Sequence, residues 1–327
     1  MFFGVYVPSL NEYFFAPDNY GMPGEKRAEL AGATGYVFSS KKDRKKGNGR
    51  LKEIEFPESK YTENVISSKL AVGIEEGQKI NVEKSIDYTG VYKKSNGPLL
   101  LYNTTFAFDD IYELSKKSSK KKMDAFNNKK EFKKNDWRAE RYQKKRAKQE
   151  EKFKEYQENK FEYIQEWVKD QYDIEEILDF EVLNFGQKVD RPLSAKYIFE
   201  TEEYIKKAGP NLIFDIGSLI SGQVELTEEE INERTKPIEL NFARTISNEI
   251  VVSIPEGKKV EGLDVLNMNV DNESAAFISS ATLSGNTLTV KTDKIYKQEF
   301  LPVEKWSELV EMLEAAYKFS QLKVVLK

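Results

Sequence analysis

Residues 65–88 read VISSKLAVGIEEGQKINVEKSIDY, and this stretch decides the fold class. Apolar and polar residues alternate on both sides of a central turn, and a period of two predicts strands with one buried face. The apolar positions are Leu70, Val72 and Ile74, then Ile80, Val82, Ile86 and Tyr88. Lys84 is the exception to the alternation. With Glu75-Glu76-Gly77-Gln78 as its turn, the stretch predicts a long antiparallel hairpin.

Short strand patterns resume at Ile177 and continue almost to the C-terminus. They include LDFEVLNFG, PLSAKYIFE, NLIFDIG and the alternating Ile250, Val252 and Ile254. The segment ATLSGNTLTVKT predicts a second hairpin, because Ser284-Gly285-Asn286 supplies turn residues at its centre. A short strand is expected over Leu322–Leu326. Many short strands separated by turn residues predict an antiparallel β-sandwich.

Helical patterns interrupt and close this series. From about residue 98 to 176 the sequence is charged and helix-forming, and we expect two or three helices, the last from about Asp136 to Tyr172. Thr227 with Glu230 predicts a capping box for a short helix. A final helix after Pro302 should bury Trp306, Leu309, Val310, Leu313 and Tyr317. The predicted fold is therefore mainly β with α, an antiparallel β-sandwich with a charged helical insertion and a C-terminal amphipathic helix.

The 327 residues contain neither histidine nor cysteine. Ser-His-Asp triads, Cys-His pairs, thiolate zinc sites and histidine metal ligands are therefore impossible within this chain. Acid–base chemistry would fall to Asp, Glu, Lys or Tyr. We accordingly expect no enzyme activity, no cofactor and no metal from this chain.

Two other patterns invite a catalytic interpretation. The acidic groups Glu75/Glu76, Glu175/Glu176 and Glu228–Glu230 suggest glycosidase carboxylates, but neighbours in sequence do not span a substrate cleft, and turn or helix-start roles explain them better. The segment DIGSLISGQ, with Gly217-Ser218 and Gly222, resembles a nucleophile or phosphate loop only loosely, since the defining motifs are missing. A strand end followed by a tight connection explains it better.

A basic stretch lies inside the predicted helical insertion. Residues 111–148 contain 15 basic and 5 acidic side chains, although the whole chain has a net charge of −4. Interleaved aromatic residues are also found in single-strand binders, but glutamates in the following turns explain much of the pattern as a solvated helical face. The candidate partner-binding residues are Lys120, Lys121, Lys122, Lys129, Lys130, Lys133, Lys134, Arg138 and Arg141.

From Ile177 to the end the chain resembles the C-terminal region of large exported Bacteroidetes proteins of unknown function. The blocks that carry the resemblance are NLIFDIGSLISGQVELTEEEINERTKPIELNFARTISNEIVVSIPEGKKVEGLDVLN and VDNESAAFISSATLSGNTLTVKTDKIYKQEFLPVEKWSELVEMLEAAYKFSQLKVVLK, with a weaker likeness over the Val65–Tyr92 hairpin. Those proteins combine an N-terminal β-sandwich, a transglutaminase-like core and a C-terminal β-sandwich. The resemblance implies a fold and a place in the periplasm or cell envelope; without it, the cytoplasm is the expectation.

The first forty residues resemble the exit from such a core. In EYFFAPDNYGMPGE, the position of the family's catalytic aspartate is taken by Phe15, and Asp18 matches a later acidic position. The family's catalytic cysteine and histidine have no counterpart in this chain. We therefore divide the chain into residues 1–40, the remnant of a transglutaminase-like core, and residues 41–327, a β-sandwich region with a helical insertion at about 98–176.

These observations favour a non-catalytic structural or interaction module with an unidentified protein partner, bound at the basic insert or at an exposed sheet face. One alternative is the substrate-positioning part of a transglutaminase-like cysteine peptidase or amidase whose active residues lie upstream. Another is anion or nucleic-acid binding through the basic insert, which the net acidic charge disfavours. The sequence contains no apolar run of the roughly 20 residues that a membrane-spanning helix needs.

Overall fold

The computed structural model describes residues 4–7, 12–15, 34–38, 51–56, 58, 60–75, 79–100, 137–186 and 190–327. The strands are β1 (Gly4–Val7), β2 (Glu12–Phe15), β3 (Thr34–Phe38), β4 (Leu51–Glu55), β5 (Val65–Ile74), β6 (Ile80–Tyr88), β7 (Ile177–Phe185), β8 (Leu193–Thr201), β9 (Ile205–Ala208), β10 (Asn211–Phe214), β11 (Ile238–Glu239), β12 (Arg244–Ser253), β13 (Val260–Glu261), β14 (Met268–Asp271), β15 (Ala275–Ser284), β16 (Thr287–Tyr296), β17 (Phe300–Leu301) and β18 (Val324–Leu326). The helices are α1 (Val91–Leu100), α2 (Trp137–Lys169), α3 (Glu228–Asn232) and α4 (Trp306–Ser320), with 3-10 turns at Gly217–Ile220, Asp264–Leu266 and Val303–Lys305.

The main sheet has eight strands in the order β14-β15-β16-β12-β5-β6-β8-β7. The predicted hairpins β5/β6 and β15/β16 are confirmed, and their strands pair antiparallel. One pair differs from an all-antiparallel sheet, because β5 and β12 run parallel. A parallel pair needs a long crossover between its strands, and alternation of side chains along a strand carries no information about its direction. The predicted mainly-β, sandwich-like fold with helices is confirmed.

A second sheet of four strands, β13-β18-β10-β9, lies in the same core as the main sheet. Phe214 on β10 and Leu326 on β18 are fully buried in that core, as are Ile164 and Val168 on α2. The four-stranded sheet and the two long helices therefore cover the buried face of the main sheet. This burial supplies the hydrophobic free energy that holds the layers together.

The helical region starts earlier than the sequence period indicates, at Val91. The backbone N–H of Val91 donates a hydrogen bond to Oδ1 of Asn64, at 3.0 Å, which caps the first turn of α1. Gly90 has a φ of +55°, and a Cβ there would lie 2.3 Å from the same oxygen. Because the cap comes from 27 residues away, the local sequence does not reveal where this helix begins.

The later helices agree with the sequence. The helix α2 lies within the range expected for the last helix of the insertion. Thr227 and Glu230 form the predicted capping box at the start of α3. On α4, Leu309, Val310 and Leu313 are buried as expected, whereas Trp306 and Tyr317 are only half-buried. Of the helices that the structure describes, not one combines the length and apolar composition needed to cross a membrane.

The first described strands form small separate pairs. β1 pairs antiparallel with β2, and β3 pairs antiparallel with β4. Phe15 is the last residue of β2, at the strand end where the resemblance places it. Asp18 lies outside the described residues. The division into residues 1–40 and 41–327 stays a prediction.

Candidate functional site

Lys84, the exception to the alternation of the opening hairpin, lies on the buried face of β6. Its side chain is only 4% exposed. In the register of the sheet it lies between Leu70 of β5 and Tyr197 of β8, both fully buried. A lysine in this place loses the hydration of its ammonium group, which is costly unless another group replaces it.

The partners of Lys84 in the core are neutral. Its Nζ donates a hydrogen bond to the hydroxyl of Tyr172, at 2.9 Å, and lies 5.0 Å and 5.8 Å from the ring centres of Tyr172 and Tyr197. The Tyr172 hydroxyl in turn donates to the carbonyl oxygen of Leu219, at 3.3 Å. Among the described residues no carboxylate forms an ion pair with Lys84, and burial lowers the pKa of its amine to about 7.

The hydroxyl of Tyr197 is buried without a hydrogen-bond partner among the described residues. Burial raises the pKa of Tyr197 well above its ordinary value, so the phenol stays protonated. An unsatisfied buried hydroxyl costs free energy that most folds avoid. Lys84, Tyr172 and Tyr197 therefore form a buried polar cluster that lowers the stability of the core.

A second buried lysine, Lys294, lies on β16 and is 8% exposed. Its Nζ donates to Oε1 of Gln223, at 2.8 Å. Burial, and then the positive charge of Arg244, lower the pKa of Lys294 to about 8. The Arg244 guanidinium lies 4.1 Å from the ring centre of Tyr296 and donates to the Leu240 carbonyl. Among the described residues, Lys294 is thus buried, like Lys84, beside groups that carry no negative charge.

A band of small polar side chains crosses the buried face next to Lys294. The strand registers place them in one row across four neighbouring strands. They are Ser279, Thr292, Asn248 and Ser68, all buried. Asn248 Nδ2 donates to Thr292 Oγ1 at 3.3 Å, which satisfies part of this band internally. Sequence alternation did not reveal it, because polar residues are read as facing solvent.

The segment Gly217–Gln223, called the strap below, contacts Lys294 through Gln223 and is linked to Lys84 through Leu219 and Tyr172. It follows the end of β10, as the predicted tight connection requires. Gly217 is indispensable for close approach, because a Cβ there would lie 2.2 Å from the Phe319 carbonyl oxygen. Ser221 has φ 63° and ψ 174°, a backbone conformation that is essentially restricted to glycine.

The outer strand β7 leaves apolar side chains in solvent. The pairing of β7 with β8 shifts register twice, and each shift passes over a leucine, Leu178 and then Leu183. These bulged leucines are 48% and 51% exposed, and Phe185 at the strand end is also exposed. We call Leu178, Leu183 and Phe185 the β7 edge. Bulges on edge strands redirect side chains and interrupt regular pairing.

Acidic residues lie on β7 itself, and exposed aromatic residues lie on the helix that packs against it. Asp179 and Glu181 are exposed on the same strand. The helix α2 packs against β7, and Lys160 Nζ lies 5.2 Å from the ring centre of Phe180. Beside it, Phe161 and Tyr163 are exposed on α2. An exposed apolar group of this kind is typical of a protein-binding surface.

The structure describes no side chain of the residues predicted as partner-binding. Lys120, Lys121, Lys122, Lys129, Lys130, Lys133 and Lys134 lie outside the described residues. Arg138 and Arg141 lie on α2, but their side chains are not among those described. Further along α2, a shallow recess is lined by Lys148, Glu151, Lys152, Lys154 and Glu155. That part of the helix carries both signs of charge, as a solvated face does.

The acidic groups considered as catalytic are spread over different elements. Glu75 follows the end of β5, whereas Glu175 and Glu176 are exposed just before β7. Glu228–Glu230 form the first turn of α3. Within the described residues, no group of three or more possible metal ligands is arranged to hold an ion.

Comparison with known proteins identifies one region of the chain. Residues 213–326 match the family model DUF3858, described as a domain of unknown function with a solved structure. No curated protein and no solved structure matches the chain. The matched region includes β12, β14, β15 and β16 but not β5 to β8, so the parallel pair β5/β12 joins it to the rest of the main sheet.

Proposed function

We propose that this chain is a non-catalytic interaction module that docks another protein at the β7 edge. The observation that supports this most directly is the exposure of Leu178 and Leu183, which both lie at bulges of an outer strand. Exposed leucines on a sheet edge are unfavourable in water, and association with a partner removes them from it.

The charges around the edge favour one kind of partner. Asp179 and Glu181 would attract basic side chains, and the leucines would pack against apolar ones. A second copy of the chain is disfavoured, because a twofold contact through β7 brings like acids together. The bulges interrupt the regular ladder of the strand, so the partner is expected to contact side chains instead of adding a long strand. We therefore expect a partner surface with apolar and basic side chains.

The non-catalytic part of the proposal rests on composition and on the dispersal of the acidic groups. A chain without histidine and cysteine lacks the groups that a transglutaminase-like reaction uses. From the resemblance we propose further that the chain is the C-terminal part of a transglutaminase-like protein of a bacterial envelope. The match of residues 213–326 to a domain of unknown function is consistent with that proposal.

The test measures the size of the native particle that contains this protein. Extracts of cells that make it are separated by size, and the protein is followed by antibody. The double variant Leu178→Asp/Leu183→Asp places two charges on the β7 edge. The matched control is Leu283→Asp, which charges a similarly exposed leucine on β15, outside the β7 edge.

We expect the wild type and the control to migrate in a complex larger than one chain, and the double variant to migrate as a single chain. A wild type that already migrates as a single chain would contradict the proposal. Light scattering of the purified wild type shows whether the partner is a second copy of the chain or another protein. A wild-type dimer that is absent in the double variant would identify a second copy.

A further inference from the structure

One segment of the chain is linked by hydrogen bonds to both buried lysines, directly to Lys294 and through Tyr172 to Lys84. The strap accepts a hydrogen bond at Leu219 from Tyr172, which itself accepts from Lys84, and its Gln223 side chain accepts directly from Lys294. Leu219 and Gln223 are only four residues apart. The two amines, which lie on different strands of the main sheet, are therefore linked to the same segment.

The groups that face the two lysines offer no counter-charge among the described residues. Around Lys84 the titratable groups are phenols on three elements, and around Lys294 they are a guanidinium and a phenol. They are Tyr88, Tyr172 and Tyr197 for Lys84, with Tyr204 beyond Tyr172, and Arg244 and Tyr296 for Lys294. Both closed sites therefore favour the neutral amine, since a charged one is buried without an anion.

The strap is anchored at its beginning and strained towards its end. The Gly217 N–H donates to the Leu322 carbonyl oxygen at 3.0 Å, and Ser218 Oγ donates to Asp215 at 2.9 Å. Asp215 is also paired with Lys323, at 3.2 Å. At the other end Ser221 holds its strained conformation, and the following Val224 is exposed. Opening of the strap therefore requires that the hydrogen bond of Gly217 to Leu322 breaks and that Leu219 and Gln223 leave their partners.

We propose that the strap is a pH-dependent latch, closed while Lys84 and Lys294 are neutral and released when they take up protons. An exposed lysine holds its proton up to about pH 10.4. In the closed form the pKa of Lys84 is about 7 and that of Lys294 about 8. Both values lie below that of the open form, so closure is strongest at high pH and weakens as the pH falls from about 10 towards 7. This inference is independent of the β7 edge.

Hydrogen–deuterium exchange of the purified protein tests the latch. Peptides that cover residues 215–226 report on the amide of Gly217, which donates to the Leu322 carbonyl oxygen outside the strap. They also report on the amides of Leu219 and Ser221, which donate to Ile216 and Ser218 in the turn of the strap itself. Exchange is measured at pH 7 and pH 9 and divided by the intrinsic rate at each pH. Between pH 7 and pH 9 the linkage of Lys84 changes the closed-to-open ratio by about 50-fold and that of Lys294 by about tenfold. We therefore expect the protection factor to be about five hundredfold higher at pH 9.

Two variants keep this test decisive. Lys84→Met/Lys294→Met keeps the side-chain length and removes both amines, and its protection factor should be the same at both pH values. Ser221→Gly relieves the backbone strain and should raise protection at both pH values while the pH dependence remains. The exposed control Lys206→Met should behave like the wild type. Equal protection of the wild type at pH 7 and 9, or an unchanged pH dependence in the double methionine variant, would overturn the proposal.

Discussion

The two outer strands of the main sheet, β14 and β7, differ in how far the rest of the chain covers them. At β14 the helix α4 packs against the outer strands, and the loop after β14 is bound to it by Asn272 Nδ2, which donates to the Glu308 carbonyl oxygen at 2.9 Å. Ser274 Oγ donates to the Glu308 carboxylate at 2.7 Å. At β7 the strand is bulged twice, and two leucines lie in solvent.

The two edges differ in what their apolar side chains contribute. Those at β14 stabilise the fold, and those at β7 are left for a partner in our proposal. Residues at the β14 edge gain their free energy inside the chain, because α4 buries its apolar stripe there. The leucines of the β7 edge gain little inside the chain, since about half of each side chain remains in water. Apolar groups left on a bulged edge are available to a partner. The same kind of residue therefore stabilises the fold at the β14 edge and, in our proposal, docks a partner at the β7 edge.

The largest expected effect on stability is at the β14 edge, which α4 covers. Leu309 is buried on α4, and Leu309→Ala should lower the free energy of unfolding by about 2–5 kcal/mol, because it removes buried methyl groups and leaves a cavity. Urea unfolding followed by circular dichroism measures it. A loss below about 1 kcal/mol would mean that α4 does not seal this edge.

A smaller effect is expected at the first residue of the same helix. Trp306 Nε1 donates to the Ile231 carbonyl oxygen at 3.0 Å, and the Arg234 guanidinium lies 4.7 Å from its ring centre. Trp306→Phe keeps an aromatic ring but removes the donor, and it should cost about 1–2 kcal/mol. Trp306→Tyr serves as a second variant, and a stability equal to the wild type in both would show that this contact adds nothing.

The contribution of the Glu308 carboxylate to stability at the β14 edge should depend on pH. Hydrogen bonds from Lys305 and then Ser274 hold the pKa of the Glu308 carboxyl below its usual value. A carboxyl with a depressed pKa stabilises the fold above its ordinary pKa, and this contribution is lost as the pH falls from about 4.5 through the folded value. Stability of the wild type and Glu308→Gln, compared between pH 7 and pH 3, should converge at low pH. A constant difference would contradict this role.

The smallest effect on stability is expected at the β7 edge, whose leucines are exposed. Leu183→Ala makes the same chemical change as Leu309→Ala, but the side chain is half exposed and lies in a bulge. We expect a change within about 0.5 kcal/mol in the same urea experiment. If Leu183→Ala cost as much as Leu309→Ala, the contrast between the two edges would be lost.

Much of the fold follows from local sequence. The hairpins β5/β6 and β15/β16 and the helix α4 were predictable, because alternation, turn residues and a helical stripe are local signals. The parallel pair β5/β12 and the start of α1 were not, since each depends on a contact between residues far apart in the chain.

The site was much less predictable. Lys84 stands out in the sequence as a break in an apolar pattern, but its neutral surroundings come from Tyr172 and Tyr197, more than eighty residues away. The exposure of Leu178 and Leu183 depends on two register shifts against β8. In the sequence they are ordinary apolar residues of a strand. A register shift depends on how the partner strand fits, and one strand does not show that alone.

The most direct test of the account is site-specific photo-crosslinking in cells that make the protein. A photoreactive phenylalanine derivative is placed at position 183 on the β7 edge, and at position 283 as the control. The account predicts a crosslinked partner protein from position 183 and none from position 283, with the attachment in a partner segment rich in apolar and basic residues. No crosslink at 183, or equal crosslinks at both positions, would contradict the claim that the β7 edge is the docking surface.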